Sequence, residues 1–539
     1  MTIFRPPPHS RAAALHREAE DFFRRSWDAF PQEAAELGLR GYRGRLGDNT
    51  AKAHRAHAAL LRRALGQVEA LPAVDFDGDD WLDRRGFLAL LRTRLFFHDT
   101  FPHWQLDPQI HCQTPVNSIF HLVTRGSDNL AAVTPAILSL LADTPRFLGE
   151  GEGCLRRPVP LWTRLAAESC EGAAGFLEEL APQIVPLAER PARARRLFSL
   201  AAGAFRGFAA HLGRIRTGAP RGYAVGREAF EFLTRERLGL DLSADEVFCA
   251  GQRLVAQTAA ALEREAAKFG RRSAAAILEQ ARAEWRPSAP TLLGEYRRVT
   301  ADIKKRLARS GIVSLPRGEK LKVLPVPDFL RQQFPTAAYS APGPFDSDQT
   351  GIFWVNDLSL TARTEAARRA EIAQHFGLEL TCAHEAYPGH HLQFIVQNRH
   401  PSRLRRMFSH AVYYEGWTLW CEKMCVDRGL YKEPHARLIQ LHDALWRAHR
   451  ILIDAGLHTR GLTHAGATRH LVREVGFTRA RAAADVNWYT AAPTVPMSYL
   501  LGRCQVESLR ERHSGESLRR FNDRILAFGS LPWNWLRLA

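Results

Sequence analysis

Residues 384–391 read His384-Glu385-Ala386-Tyr387-Pro388-Gly389-His390-His391. The common zinc-hydrolase helix carries HExxH, where two histidines one turn apart hold the metal and the glutamate between them is the base for water. Here the position four residues after His384 is Pro388, which cannot ligate metal. Proline lacks an N–H, and its ring clashes with the carbonyl four residues back, so a helix through this string must kink or bulge. Gly389 supplies the backbone freedom for that deformation. At about 3.6 residues per turn, an unbroken helix returns His391 to the face of His384, two turns away. A two-residue bulge at Pro388-Gly389 instead brings His390 into the usual place. We favour the bulge and His390, with His391 as the alternative.

A third ligand should come from a following helix, and the segment His410 to Glu422, HAVYYEGWTLWCE, offers Glu415 and Glu422. They lie two turns apart on one helical face and divide into a metal ligand, Glu415, and an acceptor for a ligating imidazole N–H, Glu422. Apolar neighbours such as Val412, Trp417 and Trp420 leave little of this helix for water. Further along, Arg447, Arg450, Asp454 and His458 share a helical stripe. Arg450 or His458 is a candidate donor to a developing oxyanion; the structural alternative is an Arg450–Asp454 ion pair. Tyr489 and Tyr499, in WYTAAPTVPMSYLLG, are the tyrosine candidates, with Tyr499 preferred. His375, His400 and His410 have no partner at ligand spacing and are expected to be structural.

Outward from this core the chain predicts a mainly α fold, rich in Ala, Leu, Arg and Glu with apolar residues at helical spacing, as at Ala58, Leu61, Leu65 and Val68. Helix is expected from about Glu365 into Gln397, from Arg403 to Asp427, and from Leu438 to Leu457. The exception is 321–356, where KVLPVP (322–327) and GIFWVN (351–356) flank the Pro/Gly-rich AAYSAPGPFDSD. That pattern predicts a β-hairpin or small sheet beside the site, with GIFWVN either an exposed edge on which an extended peptide could lie or part of a packed structural hairpin. The expected division is a helical lobe over 1–315 and a catalytic lobe over 316–539.

Composition closes several other possibilities. The 539 residues, 45% hydrophobic and 24% charged, are ordinary for a folded globular chain. Eight cysteines are scattered without a CxxC pair, as expected of reduced thiols; Cys421 and Cys425, four apart, lack the further soft ligands of a metal site. The opening residues turn charged before any apolar run, and no stretch reaches the roughly 18–20 apolar residues of a membrane span, so a cytoplasmic protein without membrane partners is expected. The formal charge of +17 comes almost wholly from arginine, since only eight lysines occur. Those arginines are interleaved with Glu and Asp, without a basic block or nucleic-acid-binding signature, which argues against a nucleic-acid partner.

The strings HEAYPGHHLQ and YYEGWTLWCE resemble the signature of the domain of unknown function 885 family, which is grouped with the gluzincin metallopeptidases. The resemblance covers most of the chain and is strongest from about Leu321 to Gly502. It implies a large helical, two-lobed, cleft-bearing body, with zinc held by His384, His390 and Glu415 and with Glu385 as general base. The function expected is hydrolysis of a short peptide or amino-acid conjugate, with His458, Tyr499 or Arg450 steadying the oxyanion. Two rivals remain: a non-haem iron oxygenase, which uses the same two-histidine, one-carboxylate set, and a basic binding protein with a vestigial site.

Overall fold

The computed structural model describes residues 13–73, 76–126, 128–326 and 336–536. The opening residues read above for a leader are outside this set up to position 12, as is Pro327 of the first β-leaning run. The chain is mainly helical and carries one small three-stranded sheet. No helix among the described residues is long and apolar enough to cross a membrane.

Two compact units divide the chain. The first comprises residues 1–223 with 343–347 and 402–404; the second takes the rest. The expected boundary at 315/316 therefore lies inside the second unit. The first unit is built from long helices, among them Ala13–Ala29, Ala51–Ala70, Gly78–Leu95 and Pro160–Ile184. Their apolar stripes meet in a shared interior: Leu15, Phe22, Phe23, Leu61, Phe87 and Trp162 are all buried. Of the stripe read on Ala51–Ala70, Ala58, Leu61 and Val68 are buried and Leu65 is half-buried.

The second unit holds the sheet and every candidate site residue. Strands β1 (Lys320–Pro325), β2 (Ala337–Ser340) and β3 (Thr350–Val355) run in the order β1-β3-β2. The two apolar runs do not form a hairpin: β1 pairs with β3 in parallel, Lys320 opposite Thr350, and β2 adds antiparallel on the other side, Tyr339 opposite Phe353. GIFWVN is thus the central strand, buried along its whole length, and not an exposed edge. Its continuous apolar character is what a strand paired on both sides requires. The edge beside the site is β2, which came from the Pro/Gly-rich connection.

The long helix expected after Glu365 is three helices, Glu365–Ala373, Leu378–Glu385 and His390–Asn398. Farther on come Arg403–Arg406, Ala411–Asp427, Ala436–Thr459 and Val495–Arg512. The Ala411–Asp427 helix packs closely on Val495–Arg512 through two glycines. A Cβ on Gly416 would lie 2.7 Å from the Gly502 Cα, and one on Gly502 would lie 2.2 Å from the Val412 carbonyl oxygen. Backbones this close leave no room for a side chain.

Candidate metal centre

The deformation anticipated at Pro388 is a clean break between two helices. Leu378–Glu385 stops one residue after His384, the Tyr387–Pro388 peptide is cis, and the next helix starts at His390. A Cβ on Gly389 would fall 1.8 Å from the His384 carbonyl oxygen, so only glycine fits where the chain doubles back. Trp417 fixes the break from the third helix, its Nε1 donating to the Pro388 carbonyl at 2.9 Å. Two residues earlier on that helix stands Glu415.

These three helix segments bring His384, His390 and Glu415 together, with one ligand atom of each within 4.8 Å of the others, all buried. His384 Nε2 lies 3.5 Å from Glu415 Oε2, and His390 Nε2 lies 3.6 Å from the same oxygen. Donors about 2.0–2.1 Å from a tetrahedral cation stand about 3.3 Å apart, so both separations suit a shared ion. Glu415 Oε2 is buried with no close hydrogen bond, its charge met by the two imidazoles across a gap that a shared cation would fill. The residues present therefore fit a divalent metal.

The partners of each side chain assign the rest. His384 Nδ1 is 2.8 Å from Glu422 Oε1, so Glu422 orients the imidazole from behind and leaves Nε2 for a cation. His390 packs against the rings of Phe394 and Tyr414, which also contact each other. His391 turns away: its Nε2 is 2.7 Å from Glu319 Oε2 and its Nδ1 is 3.1 Å from the Tyr339 hydroxyl. Glu319 also accepts from Tyr387 and Lys304, making a buried polar knot beneath the break. The choice between the two histidines falls to His390.

Burial opposes a charge on His384, but Glu415 and Glu422 outweigh it and push its pKa up to about 10. Burial takes His390 the other way, down to about 4, against the pull of Glu415. Glu415 stays below the ordinary carboxylate range although burial would raise it, because His390 and His384 face it. The field that draws a proton to His384 would equally draw a metal cation. Glu385 behaves differently. Burial pushes its carboxyl up to about 7, assisted by Glu415 and opposed by His384 and by a hydrogen bond from the Tyr339 N–H. That N–H belongs to β2, so Glu385 sits on the outer edge of the sheet.

The other candidates separate. Tyr499, in the first turns of Val495–Arg512, hydrogen-bonds Glu415. Arg450 does not pair with Asp454; its Nε donates to the Tyr489 hydroxyl at 2.9 Å. Asp454 accepts the backbone N–H groups of Thr494 and Met497, each at 3.2 Å. His458 is buried, with Nε2 at 3.2 Å from the Tyr489 carbonyl, so its ring is tied to the backbone. His375 and His410 are structural, bound to the Tyr296 hydroxyl and the Ser530 carbonyl. Cys421 and Cys425 are buried within the helix packing. Glu319, Tyr339 and Trp446 escaped the sequence reading. Glu319 lies 65 residues before His384 in a charged turn with nothing to mark it, whereas Trp446, one turn before Arg450, could have been noticed.

Residues 31–539 match the family described as "Bacterial protein of unknown function (DUF885)". The chain belongs to this family. The fold is shared with two solved structures. One is "a putative lipoprotein of unknown function" from Shewanella oneidensis (19% identity, TM-score 0.77, covering 97% of this chain and 98% of that one). The other is "the putative lipoprotein from Colwellia psychrerythraea" (18% identity, TM-score 0.72, covering 97% of each). At these identities the likeness speaks for the fold alone. No curated protein matches the chain.

Proposed function

We propose that this DUF885 protein is a zinc-dependent hydrolase of a peptide or peptide-like amide, related in its chemistry to the gluzincin metallopeptidases and working in a cleft of the two-lobed kind those enzymes have. The observation that carries this reading is the convergence of His384 Nε2 and His390 Nε2 on the buried Glu415 Oε2, with Glu385 one residue from the first proposed ligand. A zinc ion held by these three residues would polarise an acyl carbonyl and acidify a water beside it.

The chain's own groups supply the remainder. Glu385, its pKa raised to about 7, is poised to take the proton of the attacking water and hand it to the leaving amine as the C–N bond breaks. The Tyr339 N–H holds that carboxyl on the outer side of β2, the edge strand along which an extended chain would approach. Tyr499, beside Glu415, is positioned to donate to oxygen charge developing on the substrate. Glu422 keeps His384 in the tautomer whose Nε2 lone pair faces the metal.

The test is turnover of short peptides and acyl amino acids by zinc-loaded protein, alongside Glu385→Gln. The variant should keep its zinc and lose activity by about 100-fold or more. An unchanged rate in Glu385→Gln overturns the role of this residue. Stoichiometric iron with oxygen-dependent turnover would replace the hydrolase by an oxygenase built on the same ligands.

A further inference from the structure

Arg450 lies in a cage of aromatic rings. Its guanidinium carbon stands 4.0 Å from the ring centre of Trp446, 4.6 Å from Tyr499, 5.4 Å from Trp488 and 5.5 Å from Tyr489. Nε is used by the Tyr489 hydroxyl, which in turn donates to Asp485 at 2.9 Å. Nη1 is buried and makes no hydrogen bond, and among the described residues no salt bridge reaches Arg450. Ring faces stabilise the flat sides of the cation, but its N–H groups point outward in the plane and need acceptors. Asp485 acts on the cation from behind the Tyr489 hydroxyl without reaching ion-pair distance, so Nη1 keeps a buried, unfilled N–H that an incoming anion would satisfy.

The cage has two ends. Trp488 is 37% exposed, so one wall reaches the surface. Tyr499, another wall, hydrogen-bonds Glu415 at the metal centre. A ligand carboxylate on Arg450 would therefore sit a few ångströms from the proposed scissile bond, with its shape suited to a guanidinium.

We propose that Arg450 receives the free α-carboxylate of the amino acid on the leaving side of the scissile amide. The substrates are then peptides cut next to their C-terminus, or N-acyl amino acids. This rests on the hydrolase reading for its catalytic meaning. Binding can nevertheless be measured without turnover.

The experiment is calorimetric binding of N-acetylphenylalanine and of its carboxamide to zinc-loaded Glu385→Gln protein, with and without Arg450→Gln. The free acid should bind at least about tenfold tighter than the amide, and Arg450→Gln should erase that difference at unchanged zinc content. Arg450→Lys keeps the charge and should retain the preference at lower affinity, which guards against a misfolded glutamine variant. Equal binding of acid and amide, or a preference that survives Arg450→Gln because the carboxylate binds the metal directly, overturns the proposal. Acid-selective, Arg450-dependent binding in a protein that hydrolyses nothing would sink the hydrolase reading and leave the carboxylate site standing. Hydrolysis of acids and amides at equal rates would do the reverse.

Discussion

His391 has both ring nitrogens engaged, by Tyr339 and Glu319, while its neighbour His390 directs Nε2 at Glu415. The two substitutions should therefore separate cleanly in a chelator-competition titration of metal affinity. His390→Ala removes a proposed ligand and should weaken binding by more than about 100-fold, beyond what outer partners of a metal site command. His391→Ala should hold its metal and instead lose about 1–3 kcal/mol of stability, because Glu319 and Tyr339 each lose a buried hydrogen bond. Glu422→Gln belongs between them, weakening the metal about 10–100-fold through His384. Much of this was legible in HEAYPGHH: the proline forbade a plain helix and the glycine allowed a turn. Glu319 was not legible, since a contact 65 residues upstream leaves no periodicity in the sequence. Nor was the aromatic cage around Arg450, which draws its walls from two other helices.

Among elements, helices read well and the sheet did not. The expected Arg403–Asp427 helix is split into Arg403–Arg406 and Ala411–Asp427, and the expected Leu438–Leu457 became Ala436–Thr459. The small sheet was placed correctly in the chain, but its topology was not, because local sequence does not say whether two adjacent apolar runs pair antiparallel as a hairpin or in parallel with a third strand on the far side. AAYS carries no alternation to announce an edge strand. The glycine contact between the Ala411–Asp427 and Val495–Arg512 helices is equally silent in sequence, although it sets Tyr499 beside Glu415. Gly502→Ala would force a Cβ to within 2.2 Å of the Val412 carbonyl oxygen, a backbone atom that cannot swing aside. We expect a loss of about 1–3 kcal/mol in urea unfolding, with weaker metal binding as the helices part. Gly175→Ala, on the Pro160–Ile184 helix with nothing within 4 Å of the added Cβ, is the control and should be neutral or slightly stabilising. Equal losses in both variants would show that the close approach is not what holds these helices.

At the scale of the whole molecule, the histidines of the first unit make stability depend on pH. His57 sits between Ser26 Oγ and His98, each at 3.1 Å, while His54 and His111 share Asn49, His54 stacking on the Trp104 ring and His111 bonding the Trp104 carbonyl. Burial lowers His54 and His57 to about 3 and His111 and His121 to about 4. His16 and His98 are lowered in the same sense, while burial raises Asp107 to about 6, in the opposite sense. Below pH 6.5 an unfolded histidine takes up a proton that these buried rings refuse, so acid favours the unfolded chain; Asp107 binds its proton in the folded state and offsets part of this. Each such histidine contributes a loss of up to about 1.4 kcal/mol for each pH unit between about 6 and 5. Urea unfolding of metal-free protein across that interval should show this fall. His57→Gln removes one titrating ring while keeping hydrogen-bonding atoms near Ser26 and His98. It should make the fall shallower by about 1.4 kcal/mol per pH unit. A wild-type stability that is flat or rises on acidification would mean that these rings are already open to protons in the folded state.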